Sequence, residues 1–171
     1  MSEHIRYAWG DSSLGTFVAA CSGKGLVAFE FSDGRDETME RLRARLPDAM
    51  LTEDREALRD IVDALSVIVD HPHRQAELAL DMRGTEYQQR VWELLRRIPP
   101  GSTTTYGALA AELETRDARD VTEAIASNGI AILIPCHRVV KKDGSLSGYR
   151  WGFKRKRALL TREAVARSGK A

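Results

Sequence analysis

Short apolar runs, rich in β-branched and aromatic residues, dominate the N-terminal part of the chain. Three such runs, at residues 6–9, 15–20 and 26–29, are separated by clusters of Asp, Ser and Gly. Runs of this composition between turn-forming clusters are typical of β-strands. The pattern predicts three strands, with a hairpin turn at residues 22–25.

The spacing of apolar residues then changes to a helical period. It predicts a charged amphipathic helix over residues 36–46, which Pro47 ends, and a second helix from about 53 to 69. Residues 78–80 are apolar and predict a short strand. The first half of the chain is therefore expected to be a small α+β scaffold.

Helical periods continue through the second half. Thr85 is a favourable N-cap for a helix that runs to Pro99, and a final helix is expected over residues 153–166. Between them lie two short helical stretches, 106–113 and 117–127, with a polar break at 114–116. Two short helices joined by a brief turn have the spacing of a helix-turn-helix.

Charge divides the chain unevenly, although the net charge of the 171 residues is only +1. Residues 1–82 contain nine Lys and Arg against sixteen Asp and Glu, whereas residues 83–171 contain seventeen against nine. A net of +8 in the second half favours a polyanionic partner there. The alternative interpretation is an uneven distribution of solvated faces.

Other compositional features exclude several classes of protein. No apolar run reaches the roughly 20 residues of a membrane span, and no signal peptide is expected. Cys21 and Cys136 do not form a disulfide framework, and a reactive thiol would suit the reducing cytoplasm. His71 and His73 have no third candidate ligand nearby, so we expect solvated side chains rather than a metal site.

The stretch Ile132–Val140 carries the candidate chemistry. Cys136 follows a proline and precedes His137 and Arg138, with apolar residues on both sides. A thiol becomes a nucleophile as the thiolate, which a neighbouring base or cation favours. A lone cysteine in an apolar run is more often a small core residue, so the surrounding motifs decide between the two interpretations.

Further motifs stand in order around Cys136. They are Arg83, Gly84, Thr85, Gln88, Gln89, Val91 and Trp92; Pro99, Gly101 and Tyr106; Asn128; 135–140; and Gly144 with 146–152. Together they resemble the O6-alkylguanine-DNA alkyltransferases, or methylated-DNA–protein-cysteine methyltransferases. The likeness is strong over residues 83–165, weaker from about residue 5, and greatest to the C-terminal half of Ada-type proteins.

The resemblance implies a fold of class α+β with two domains. Residues 1–82 would form a small, ribonuclease-H-like, three-stranded domain. Residues 83–171 would form a mostly helical DNA-binding and alkyl-transfer domain with a helix-turn-helix, similar to a winged helix. The partner would be double-stranded DNA containing O6-alkylguanine, bound through its minor groove by a cytoplasmic monomer that needs no metal or organic cofactor.

The resemblance also assigns roles to individual residues. The expected catalytic residues are Cys136, His137, Glu163, Tyr106 and Asn128. The expected DNA contacts are Arg119, Thr105, Ala118 and Arg138. The expected pocket residues are Val139, Tyr149 and Arg150. Arg119 would replace a guanine that is flipped out of the duplex, and Cys136 would accept its O6-alkyl group irreversibly. The product would be a thioether with no second thiol beside it to restore the cysteine, so each chain would react once. O4-alkylthymine is a further candidate substrate.

The second short helix, 117–127, is the one that would enter the DNA groove, and we call it the recognition helix. It departs from the family pattern at Asp120 and Glu123, where small uncharged residues are usual. Carboxylates that face phosphate weaken DNA binding. Two alternatives therefore stay open: an alkylated-DNA-binding module, or a fragment of an Ada-type transcription regulator, with little transfer activity. An unrelated thiol hydrolase is disfavoured because the sequence offers no acyl-binding motif.

Overall fold

A computed structural model describes residues 2–74, 77–114, 117–146 and 148–167 of the chain. The chain forms two compact units, one of residues 1–70 and 76–82 and the other of residues 71–75 and 83–171. Each unit contains both helix and strand, so the α+β class expected from the sequence is confirmed. The division into functional domains at residue 82 stays a prediction.

A four-stranded sheet forms the centre of the first unit. Its strands are β1 (Glu3–Ser12), β2 (Gly15–Cys21), β3 (Leu26–Phe31) and β4 (Ala49–Glu53), in the order β3-β2-β1-β4. Strands β1, β2 and β3 pair antiparallel, and β4 pairs parallel to β1. The three predicted strands are present and are longer than expected.

The prediction of a three-stranded sheet is wrong because β4 adds a fourth strand at its edge. The side chains of β4 are exposed or half-buried. A strand with so little buried surface carries only a weak apolar pattern in its sequence. The stretch 78–80 contributes only a single bridge, between Leu80 and Leu26. The second helix, expected from about residue 53, begins later because Glu53 belongs to β4.

Helices α1 (Arg35–Arg45) and α2 (Arg59–Asp70) complete the first unit. Met39 and Leu42 of α1 join one core cluster with Val18 of β2. Adjacent residues of a strand point to opposite faces, so Phe17 lies on the other face, where its ring packs edge-on against Phe29 at 5.1 Å between centroids. All are buried, so the sheet has an apolar layer on both faces.

The second unit begins with helix α3 (Glu86–Arg96), whose start was predicted correctly. The Thr85 hydroxyl accepts a hydrogen bond from the Gln88 backbone N–H, and the Gln88 side chain accepts one from the Thr85 N–H. This reciprocal pair is a capping box. Gly84 is needed before it, since a Cβ there would lie 2.5 Å from the Trp92 ring.

The remaining elements of this unit surround the cysteine segment. Strand β5 (Thr104–Thr105) leads into helix α4 (Tyr106–Glu112), which helix α5 (Ala118–Ala126) follows. A 3-10 turn, Cys136–Arg138, continues into strand β6 (Val139–Val140), and helix α6 (Phe153–Arg167) comes last. The expected turn between α4 and α5 includes Thr115 and Arg116, which lie outside the described residues, as does Ser147 of the final motif.

Helix α3 packs against α5 through buried side chains and one specific hydrogen bond. The Trp92 indole Nε1–H donates to the backbone oxygen of Ala124 at 2.9 Å, and Trp92 is almost completely buried. Buried Trp side chains usually find such a partner. Among the described residues, none of the helices combines the length and apolar character needed to cross a bilayer.

Candidate active site

Cys136 lies in a buried turn at the centre of the second unit. Every residue from Ile130 to Val140 is buried except Leu133, which is half-buried. The segment turns sharply at Ile132, whose φ of 67° lies in the left-handed region that β-branched residues rarely adopt. The prediction that this stretch is buried rather than a surface loop is confirmed.

Asn128 connects the end of α5 to the cysteine turn. Its side-chain Nδ2 donates to the Cys136 Sγ at 3.2 Å and to the Ile134 carbonyl at 2.9 Å. Its Oδ1 accepts from the Ile130 N–H at 2.9 Å, and the side chain is fully buried. The amide therefore holds the turn and also provides a hydrogen-bond donor at the sulfur.

Burial governs the ionisation of the Cys136 thiol. It raises the pKa of Cys136 to about 11, although the Asn128 hydrogen bond and the positive charges of Lys156 and Arg150 oppose the rise. The resting group at neutral pH is therefore the uncharged thiol. A thiolate can form there only if a base accepts the proton as the sulfur reacts.

His137, the next residue, is the candidate base. Its Nε2 lies 3.1 Å from Oε2 of Glu163, and both side chains are fully buried. Burial lowers the pKa of His137 below its usual value, although Glu163 acts in the opposite direction. A carboxylate only accepts hydrogen bonds, so Nε2 carries the proton. The other nitrogen, Nδ1, bonds to none of the described residues and can accept a proton.

Arg138 completes a buried ionic network around Glu163. Its Nε donates to both carboxylate oxygens at 3.1 and 3.0 Å, and its Nη2 also contacts Oε2. Burial alone would raise the pKa of Glu163, but the hydrogen bonds from His137 and Arg138 outweigh it and lower that pKa. Glu163 is therefore a carboxylate at neutral pH.

The structure gives Arg138 a different position from the expected DNA contact. Its side chain is 7% exposed, and its Nη1 and Nη2 also donate to the carbonyls of Ile98 and Pro72. A guanidinium so occupied is not available to a phosphate. The expectation that Arg138 contacts DNA is corrected: it braces Glu163.

Lys156 lies among several basic residues of the chain, Lys154 to Arg157, but it is fully buried. Its Nζ donates to the Val139 carbonyl at 2.7 Å. Burial lowers the pKa of Lys156, while the neighbouring Cys136 acts to raise it. The spacing of Lys156, Leu159 and Glu163 on α6 could have indicated one buried helical face.

A cavity of about 480 Å³ opens beside Cys136. Tyr106, Tyr149 and Arg150, all expected from the sequence, line it together with the cysteine. Tyr106 reaches it because β5 pairs with β6, which aligns Thr105 with Val140. The other described lining residues are Thr122, Ile125, Ala126, Lys141 and Gly148, none of which was assigned to the pocket from the sequence.

Several polar groups lie at or near the cavity wall, and hydrogen bonds to neighbouring residues position two of them. The Tyr149 hydroxyl is buried and bonds to none of the described residues, and burial raises its pKa well above the usual value. Arg150 donates to the Asn128 carbonyl at 3.1 Å. The Val139 carbonyl accepts from Lys156, and a carbonyl oxygen has a second lone pair for a ligand.

The remaining expected DNA contacts lie at the starts of α4 and α5. Thr105 caps α4 by accepting from the Ala108 N–H at 3.1 Å, and Ala118 is the first residue of α5. The Arg119 side chain is 87% exposed and ion-paired with Asp117. Asp120 and Glu123 lie on the same helix, beside a shallow pocket at the start of α3. The site is thus a buried thiol next to a helix with an exposed arginine.

Comparison with known proteins yields a consistent set of relatives. The family described as "6-O-methylguanine DNA methyltransferase, DNA binding domain" matches residues 86–165. The "Bifunctional transcriptional activator/DNA repair enzyme Ada" of Escherichia coli K12 is 40% identical over 161 residues, which are 94% of this chain and 46% of Ada. The chain therefore spans about half the length of Ada.

Other relatives match along almost their whole length. The "Methylated-DNA--protein-cysteine methyltransferase" of Mycobacterium bovis is 38% identical over 160 residues, covering 93% of this chain and 92% of the relative. A crystal structure of Mycobacterium tuberculosis OGT in complex with DNA superposes with a TM-score of 0.78 and 35% identity, over 93% of this chain and 92% of that one.

Proposed function

Because the chain belongs to the family of methylated-DNA–protein-cysteine methyltransferases, we propose that it repairs DNA by direct alkyl transfer. The alkyl group would pass from O6 of a flipped guanine, or O4 of a flipped thymine, to Cys136. The observation that carries this proposal is the buried hydrogen bond between Glu163 and His137, the residue after Cys136. Cys136 itself lines the wall of a cavity.

The transfer is a single displacement at the alkyl carbon. As sulfur attacks, the thiol proton passes to Nδ1 of His137 through a bridging water, and Glu163 stabilises the imidazolium that forms. A carbon–sulfur bond forms while the carbon–O6 bond breaks, and the bonding electrons return to the guanine ring. The proton held by His137 then returns through water to the base, which leaves as neutral guanine. Burial favours this route because separate, unpaired charges would be costly in the cavity.

The leaving guanine needs hydrogen-bond donors where its charge develops. We assign the Tyr106 hydroxyl to the ring nitrogen N3 and the Arg150 backbone N–H to O6. The carbonyls of Cys136 and Val139 would accept from the exocyclic amine. Tyr149 would form the wall beside the alkyl group, and Asn128 would hold the sulfur in place.

The DNA face would be formed by α4 and α5 acting as a helix-turn-helix in the minor groove. Arg119 would enter the space left by the flipped base, with Thr105 and Ala118 against the backbone. The finer fold description is proposed on the same basis: a ribonuclease-H-like domain over residues 1–82 and a winged-helix-like domain over 83–171.

The product is a thioether, which has no electrophilic carbonyl for water to attack. One chain would therefore react once. We also propose that it acts as a monomer and without a metal or organic cofactor. A reactive thiol of this kind is best preserved in a reducing compartment, so we place the protein in the cytoplasm.

The decisive experiment is the intact mass of the protein after mixing with a duplex that contains one O6-methylguanine. We expect a mass gain of one CH₂ unit, reaching one per chain at excess DNA and located on Cys136 by peptide mapping. The Cys136→Ser variant should gain no mass and should still bind the duplex.

Other outcomes of this experiment would contradict the proposal. Binding of the duplex without any mass gain would indicate a damage-recognition module. Repeated turnover of substrate by one chain would contradict the single-use reaction. A mass gain on Cys21, which is the other described cysteine, would contradict the assigned nucleophile.

A further inference from the structure

The exposed side chain of Arg119 is held in an ion pair with Asp117. Its Nε donates to Oδ1 of Asp117 at 3.2 Å, and its Nη2 donates to Oδ2 at 3.1 Å. Two parallel bonds between a guanidinium and a carboxylate form the fork geometry that suits this pair best. Asp117 therefore holds both the position and the orientation of the arginine head group.

The same carboxylate has a second function in the helix. Asp117 is the N-cap of α5, and its Oδ1 also accepts the backbone N–H of Arg119 at 2.9 Å. The hydrogen bonds from Arg119 lower the pKa of Asp117, so the carboxylate is charged at neutral pH. One side chain thus begins the helix and captures the arginine that the helix presents.

This arrangement conflicts with insertion into DNA. A guanidinium that fills a base stack must leave the carboxylate, because a carboxylate carried between two phosphate backbones would be repelled. Asp117 also competes directly with phosphate, since both offer oxygens in the geometry that a guanidinium fork accepts.

We propose that Asp117 is a positioning residue that holds Arg119 off the DNA, and that base extrusion requires the arginine to exchange Asp117 for the duplex. This inference rests on the proposed function, since it concerns the arginine assigned to the flipped-base space. It identifies Asp117, in addition to Asp120 and Glu123, as a determinant of DNA affinity in this chain.

The Asp117→Ser variant separates the two functions of the residue. A serine hydroxyl still caps the helix by accepting the Arg119 N–H, but it has no charge to hold the guanidinium. We expect the dissociation constant for a duplex with O6-methylguanine to fall about two- to fivefold, which is the range for release of an exposed ion pair. The rate of transfer to Cys136 should rise as well.

Two controls distinguish release of Arg119 from the loss of one negative charge. Asp120→Asn removes the same charge one turn away from the fork without touching it. In the Arg119→Ala background, Asp117→Ser should have no larger effect on affinity than Asp120→Asn, because a double-mutant cycle isolates the coupling of the two residues. The relaxation of the Arg119 Nε–H in NMR spectra should show a mobile head group only in Asp117→Ser.

The possible results separate this inference from the proposed function. If Asp117→Ser mobilises Arg119 but affinity and rate stay unchanged, or if its effect persists without Arg119, the inference is overturned. If Arg119→Ala leaves transfer unchanged, the role assigned to Arg119 fails first. If no variant transfers a methyl group, the proposed function itself is wrong.

Discussion

Burial shifts the pKa values of Cys136 and His137 in opposite directions, and both shifts favour the uncharged form. It raises the pKa of the thiol and lowers the pKa of the imidazole, so both groups are uncharged near neutral pH. An uncharged thiol beside an uncharged base can react without first forming an isolated thiolate. A buried, uncharged thiol is expected to react slowly with oxidants and free alkylating agents.

The pH dependence of the transfer rate tests this description. The proposed mechanism requires neutral His137, which predominates above its lowered pKa, so the rate should be constant from pH 6.5 to 9 and fall only in acid. An independent thiolate with an ordinary pKa of about 8.5 would instead raise the rate nearly tenfold between pH 6.5 and 7.5 and level off only near pH 9. Single-turnover rates with saturating DNA provide the measurement, and such a rise would contradict the assignment.

At the scale of elements, helices α6 and α3 support the site through side chains on their buried faces. Helix α6 presents Lys156 and Glu163 on one buried face, where they bond to Val139 and to His137 and Arg138. Two turns of helix therefore fix two residues of the 3-10 turn and the residue that follows it. Helix α3 supports α5 from behind through Trp92.

The capping box of α3 gives a prediction for stability. Thr85→Ala removes the hydroxyl that accepts the Gln88 N–H, so the free energy of unfolding should fall by about 1 kcal/mol. Thr85→Ser keeps the acceptor and should change it by much less. Urea denaturation followed by tryptophan fluorescence measures both, and equal losses for the two variants would show that the loss does not come from the capping hydroxyl.

At the scale of the whole molecule, stability is coupled to the charge state of the buried network. In an unfolded chain His137 would titrate near its ordinary pKa of 6.5, whereas its pKa is lower in the folded protein. The unfolded state therefore binds a proton that the folded state does not. The stability that neutral His137 contributes is complete above pH 6.5 and is lost as the pH falls toward the folded pKa.

We accordingly expect the free energy of unfolding to be lower at pH 5.5 than at pH 7.5, with a slope from this group of at most about 1.4 kcal/mol per pH unit. His137→Gln should reduce the slope, and the exposed-residue control His4→Gln should keep it. Urea titrations at the two pH values provide the comparison. An identical slope in His137→Gln would assign the dependence to other groups.

The sequence determined the local elements because their signals are local. The apolar periods located the helices, Thr85 marked the start of α3 through its own hydroxyl, and the motif around Cys136 identified the candidate nucleophile. The weakest local signal, the exposed edge strand β4, was missed because it becomes a strand only by pairing with β1. A parallel pairing between distant segments leaves no pattern within either one.

Only the tertiary structure decided which charged side chains face solvent. Arg138 and Lys156 have the composition of a DNA-binding surface, yet both are buried, because Glu163 and the Val139 carbonyl come from elements distant in the sequence. It also placed Tyr106 beside Cys136 through β5 and β6, and Asp117 in the fork of Arg119. Residue types state which interactions are possible, whereas burial and distance, set by packing, select the ones that form.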